Sequence, residues 1–149
     1  MIIYRLSHND YANDLSGSGA KLYGGRWNSV DVNALYTTEN ISLAVLEILV
    51  HIKQFRSPIN YSLVSIEIPR TIEPIVITNA KLKRHWKDDI SYSQFIGDEF
   101  LKSSHGLILK IPSAIIDQEN NFLINPKHPD ISKVKIIASK DFEFDKRLY

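Results

Sequence analysis

Four residues of this chain have types and settings that suit chemistry: Arg26, Tyr36, Glu47 and Ser113. Glu47 is the only carboxylate in Ile41–Ile52, ISLAVLEILVHI, a run that is otherwise almost wholly apolar. A carboxylate buried there without a partner costs several kcal/mol, so it must be paired, protonated or turned to a cleft. Two readings stand side by side: an ion pair with His51 one turn later, or an acid working beside a ligand. Arg26 follows Gly24-Gly25 and precedes Trp27-Asn28. A planar guanidinium in a glycine turn suits a two-pronged grip on phosphate, and equally an ordinary arginine stacked on Trp27. Tyr36 precedes the Glu47 run, where its ring can stack on a flat group or its hydroxyl can meet a ligand; a core tyrosine fits too. Ser113 follows Pro112 at the end of an apolar stretch, where loops carry sites.

Other chemistries are excluded. No GxSxG and no acid or histidine at a hydrolase spacing accompany Ser113, so it is not read as a triad nucleophile. His8, His51, His85, His105 and His128 show no paired ligand spacing, and no metal site is expected. The segment NPKHPD, Asn125–Asp130, reads as a rigid turn in which His128 is structural. Gly17 and Gly19 do not make a dinucleotide fingerprint, since a third glycine is missing and no helix is expected to begin there. The absence of cysteine removes thiolate chemistry and disulfides and fits a reducing, cytoplasmic setting. Lys+Arg 18 against Asp+Glu 17 leaves +1, which is no electrostatic footprint for nucleic acid or an anionic membrane. The N-terminus lacks the apolar core of a secretory signal, and no apolar run is long enough to span a bilayer.

The elements that must position these residues follow from pattern. Short strands are expected at Ile2–Leu6, Ala34–Thr37, Ser62–Ile68, Ile75–Ile77, Gly106–Ile111 and Phe122–Ile124, with two more at Val134–Ala138 and Asp141–Phe144. Ser7–Gly19, rich in Ser, Asn, Asp and Gly, reads as a loop. Ile41–Ile52 reads as a helix, apolar on nearly every face and therefore sandwiched in the core. Thr38 or Asn40 caps it, with Glu39 near the positive end of its dipole. A second helix is expected over Tyr92–Leu101. The cluster KLKRHWK, Lys81–Lys87, reads as a solvated helix end or loop. Many short strands with two helices predict one α+β domain over residues 1–149, built on a mixed or antiparallel sheet.

Taken in order, LYGGRWN (Leu22–Asn28), LYTTENISLAVLEILVH (Leu35–His51), IPSA (Ile111–Ala114), NFLINPKHPD (Asn121–Asp130) and FEFDKRL near the C-terminus resemble the RES-domain family. That family comprises toxins of bacterial toxin–antitoxin pairs and is named for an arginine, a glutamate and a serine. The resemblance runs over essentially the whole chain and is thinnest at Asn79–Tyr92.

It implies a fold similar to ADP-ribosyltransferases and an activity that consumes NAD as substrate, with no metal and no separate cofactor. The family's arginine, glutamate and serine fall on Arg26, Glu47 and Ser113, and its tyrosine on Tyr36. Under the resemblance Glu47 stabilises positive charge on the ribose, Arg26 holds the pyrophosphate, Tyr36 orients the nicotinamide end and Ser113 positions through a hydrogen bond. Trp27, Asn28, Lys21 and Arg5 shape the pocket. The implied partner is a helix-turn-helix (Xre-type) antitoxin that covers the cleft, so nucleic acid is met only through it. The acceptor stays open among water, inorganic phosphate and a protein; a non-catalytic α+β binding module is the alternative from another class.

Overall fold

In a computed structural model, which describes residues 1–52 and 58–149, the chain builds one seven-stranded sheet with helices packed on it. The strands are β1 (Ile2–His8), β2 (Leu35–Thr38), β3 (Tyr61–Glu67), β4 (Ile75–Val76), β5 (Ile108–Pro112), β6 (Asn120–Ile124) and β7 (Lys135–Phe142). The helices are α1 (Ser18–Tyr23), α2 (Ile41–Ile52) and α3 (Ile90–Lys102). Across the sheet the order is β4-β5-β6-β2-β1-β3-β7. Only β4 and β5 run parallel; the other neighbouring pairs are antiparallel. The sheet is mixed and the fold is α+β, as the pattern of short strands implies.

Alternation along the strands gives the sheet two unlike faces. Ile3, Leu35, Val64, Ile66, Phe122 and Ile124 pack together on one face as a continuous apolar core. The opposite face is covered in two parts. At one end α2 lays Ala44, Val45 and Ile48 over Leu6, Leu63 and Phe144. At the other, Trp27, Trp86, Phe100 and Leu101 cover Leu109, Ile111 and Leu123. Between these clusters the register sets Tyr36 opposite Leu123, and Thr38 opposite Asn121. Directly opposed residues share a face, so Tyr36, Thr38 and Asn121 line the seam where the two coverings meet.

The structure departs from the sequence expectations in four places. A short helix does begin at Ser18, closed by Lys21 N–H to Gly17 O at 3.0 Å and Gly24 N–H to Ala20 O at 2.8 Å; the polar composition of the stretch hides it. The two C-terminal strands are one, because the polar Ser139 and Lys140 still pair with Val64 and Leu63 of β3. An edge strand tolerates such residues on its solvent side.

Helix α2 is not sandwiched. Leu43 and Ala44 are buried, but Ile41 and Val50 are exposed, the latter 52%. One side of the helix meets the sheet, and the other is uncovered among the described residues. Finally, Lys81–Lys87 is only partly solvated: it forms 3-10 turns whose Leu82 and Trp86 are buried. By contrast, His128 accepts from Asp130 N–H within the Asn125–Asp130 turn, the structural part expected of it. No described helix is long and apolar enough to cross a membrane.

Candidate active site

Helix α2 turns Glu47 toward β5 and β6. Asn121 Nδ2 donates to Glu47 Oε1 at 2.6 Å, and Ser113 Oγ donates to the same oxygen at 3.2 Å. The carboxylate therefore finds its partners across the fold; His51, one turn along, is exposed and makes no ion pair with it among the described residues. Ser113 is fully buried. Its Oγ accepts from Ile115 N–H at 3.0 Å and Ile116 N–H at 3.2 Å. A hydroxyl has two lone pairs and one proton. With both lone pairs engaged by the turn, the proton is aimed at Glu47. Such an oxygen orients a carboxylate and is poorly placed to attack a carbonyl. Nearby, Glu39 accepts from Asn120 N–H at 2.9 Å, tying the start of α2 to β6 beside Asn121.

The second half of the site is the glycine turn. Gly25 and Asn28 pair across it, with Gly25 N–H to Asn28 O at 2.9 Å. Gly24 closes α1 at φ 69, a left-handed value that favours glycine. At Gly25 the need is space: a Cβ would lie 2.7 Å from the Tyr36 hydroxyl oxygen. That hydroxyl accepts from Trp27 N–H at 2.9 Å and donates to Asn28 Oδ1 at 2.7 Å. Asn28, fully buried, donates back to Ala20 O and Val32 O. Gln94 of α3 donates to Gly25 O at 2.9 Å. Gly97 lets α3 lie against the turn, where a Cβ would come within 1.7 Å of the Trp27 carbonyl oxygen. Gly25 thus lies against tyrosine, while Arg26 is the residue the turn presents.

Arg26 reaches over Trp86, 5.8 Å from the ring centroid, and donates to Lys87 O at 2.8 Å. Trp27 goes inward, 2% exposed, its ring 5.4 Å from that of Trp86. Lys87 also forms an ion pair with Asp117, which lies in the turn that holds Ser113. The segment carrying Trp86 and Lys87 therefore joins the arginine side of the site to the serine side.

Of the residues singled out in the sequence, Trp27, Asn28 and Tyr36 form one hydrogen-bonded cluster that carries Arg26 on its turn, and Glu47 and Ser113 form another. The two share a sheet face, because Tyr36 is two residues from Thr38, which pairs with Asn121. Lys21 is exposed on α1, and its carbonyl accepts from Asp31 N–H at 2.8 Å. Arg5 pairs with Val64, on the opposite face of the sheet, and donates to Asp14 O at 2.8 Å. Sequence reasoning missed Asn121, Trp86 and Lys87. For Asn121 a signal existed, a polar residue at an inward position of a strand beside Leu123; for Lys87 there was none, since its backbone carbonyl does the holding.

Burial pushes the Tyr36 phenol well above its ordinary range, although the Trp27 N–H acts the other way. Tyr36 is a neutral hydrogen-bonding post at any ordinary pH. Burial also draws Arg5 below its usual value, against the pull of Asp14. Among the described residues no group of three or more histidines or acids is placed to hold a metal ion.

Comparison with known proteins adds the following. The family model described as RES domain matches residues 2–146. "Toxin Res" of Photorhabdus laumondii is 38% identical over 152 residues, covering 99% of this chain and 97% of that protein. "Prs ADP-ribosylating toxin" of a Sphingobium species is 37% identical over 141 residues, covering 92% of this chain and 88% of that one. Among solved structures, the M. tuberculosis MbcT–MbcA toxin–antitoxin complex contains a similar chain. There the TM-score is 0.73 at 20% identity, covering 95% of this chain and 83% of that chain, which is a likeness of fold. With the family model spanning nearly its whole length, the chain belongs to the RES-domain family.

Proposed function

We propose that this chain is the toxin of a toxin–antitoxin pair and that it acts by cleaving the nicotinamide–ribose bond of NAD. The observation that carries the reading is the Glu47 carboxylate, anchored by the Ser113 hydroxyl on the sheet face that also bears the Arg26 turn. The names of the relatives support the toxin part, and the ADP-ribosylating name supports a reaction at that bond.

The chemistry fits the residues. As the C–N bond to C1 of the ribose lengthens, its electron pair goes to nicotinamide, which leaves neutral, and the ribose gathers positive charge. A fixed carboxylate beside that ribose stabilises the charge as it develops. Glu47 takes this part, with Oε1 held by protein donors and Oε2 unengaged among the described residues. Arg26 spends one donor on Lys87 O and offers the remainder of its guanidinium to the pyrophosphate. Tyr36 builds the turn that presents Arg26 and gives its ring to the nicotinamide end. NAD is the substrate, and neither metal nor resident cofactor enters the scheme. The oxygen that completes C1 comes from water or from inorganic phosphate.

The partner in this reading is an antitoxin of helix-turn-helix type, which supplies any contact with DNA, and the setting is the cytoplasm. Exposed Leu22 and Tyr23, 61% and 78% accessible next to the glycine turn, are apolar surface suited to being covered. A second reading, transfer of ADP-ribose to a cellular protein, is favoured by the wording of the Sphingobium relative's name.

The test is product analysis with purified chain, with and without inorganic phosphate. Free nicotinamide with ADP-ribose means hydrolysis, whereas ADP-ribose 1″-phosphate formed only with phosphate means phosphorolysis. Adenylate label from NAD appearing on protein, with nicotinamide released but little free ADP-ribose, would favour the second reading. NAD left intact would overturn the proposal.

A further inference from the structure

Asn121 stands on β6 between Ile111 of β5 and Thr38 of β2. Its apolar neighbours on that face, Ile111 and Leu123, are fully buried. A leucine would continue the row. The chain instead has an amide whose Nδ2 lies 2.6 Å from Glu47 Oε1, while its Oδ1 is buried and takes no hydrogen bond among the described residues. An acceptor buried without a donor is destabilising, and native folds hold few of them. Turning the amide over would not relieve this, because Oδ1 would then face the Glu47 oxygen that already accepts from Ser113, acceptor against acceptor. The residue forgoes one hydrogen bond to keep its donor on Glu47.

Both protein donors to Glu47, from Ser113 and from Asn121, converge on Oε1. They arrive from different segments, Ser113 from the turn after β5 and Asn121 from β6, which has β5 on one side and β2 on the other. Two such bonds fix the side-chain torsions of Glu47 and leave Oε2 as the working oxygen. We propose that Asn121 is a positioning residue for Glu47 in the cleavage of NAD. This inference rests on the NAD-consuming reading given above. Asn121 acts through the carboxylate and has no contact of its own with the substrate. Its contribution falls on turnover, with little effect on substrate affinity.

The experiment compares Asn121→Leu and Asn121→Asp with the wild-type chain. Leucine keeps the branched outline, at a somewhat larger volume, and removes the orphaned acceptor, so thermal stability should hold or rise. The kcat for NAD loss should fall at least about 10-fold while KM stays within about 3-fold. Aspartate keeps the outline but replaces the donor with a second carboxylate, and should lose at least as much turnover. A merely structural role gives the reverse: a lower melting temperature with kcat unchanged, which would overturn the proposal.

A readout independent of NAD is the side-chain amide resonance of Asn121 in a proton–nitrogen spectrum. One amide proton should lie downfield in the wild type and move back in Glu47→Gln. A resonance indifferent to that substitution would overturn the contact itself. Absence of NAD turnover in the wild type would instead sink the NAD reading, leaving the amide resonance to decide whether Asn121 holds Glu47.

Discussion

The glycine turn and the carboxylate cluster lie on one face of the sheet and are built in opposite ways. The turn at Gly25–Asn28 is built on neutral hydrogen bonds between residues near one another in sequence, and Gln94 of α3 braces it from 69 positions away. Tyr36 is eight positions from Asn28 and nine from Trp27. Almost every polar group in it is paired inward, and Arg26 is what it presents. The Glu47 cluster joins three side chains from three elements, 66 and 74 positions apart. It keeps an unpaired acceptor, and it leaves one carboxylate oxygen without a protein partner among the described residues. The first region is a mount, and its bonds are spent on rigidity. The second retains unspent bonding capacity, which is where chemistry on a substrate has room to act.

Substitutions in the two regions should differ in what they cost. The largest effect is expected at Glu47→Gln, which should fold normally and lose turnover by about 10²- to 10³-fold, the scale of removing one preorganised charge. Next is Arg26→Ala. As a mount for phosphate binding it should raise KM by about 10- to 100-fold with kcat much less affected, measured by initial rates. If kcat fell alone, Arg26 would belong with the chemistry and the contrast between the regions would fail.

Gly97→Ala tests the mount from behind. A methyl group driven at the Trp27 carbonyl should lower stability by about 1–3 kcal/mol in denaturant titration and weaken NAD binding through the displaced turn. Unchanged stability would mean that α3 does not brace the turn. The smallest effect is Tyr36→Phe, which removes two hydrogen bonds at about 1 kcal/mol each. It also carries a pH signature. The Tyr36 phenol is raised in the folded state, so its contribution is intact below its unfolded value of about 10 and lost as pH climbs beyond it. Tyr36→Phe should therefore soften the alkaline loss of stability, while Tyr61, raised more simply by burial, keeps its part.

Much of this was legible in the sequence because it is local. The glycine turn, the strand bearing Tyr36 and the helix bearing Glu47 follow one another within thirty-odd residues, and each has a period or a turn signal of its own. The exposure of α2 was not legible. Hydrophobicity records which side chains gain from burial, and whether the sheet has area to cover both sides of a helix is a tertiary matter. Asn121 and Lys87 were hidden for a related reason. Asn121 left a polar mark beside Leu123, but its partner appears only when strand register brings β6 under α2, and Lys87 contributes a backbone carbonyl that any residue would carry. Arg5 looked like a second cation for the site; strand alternation puts it beside Val64 on the far face.

In the proposed reaction Glu47, held by Ser113 and Asn121, is the group on which NAD turnover depends. The most direct measurement follows nicotinamide release from NAD by purified wild-type chain and by Glu47→Gln, at matched concentration and with folding checked by circular dichroism. Rapid release by the wild type and near-complete loss in a folded Glu47→Gln is the result expected. Equal release by both, or none by a folded wild type, would contradict the account.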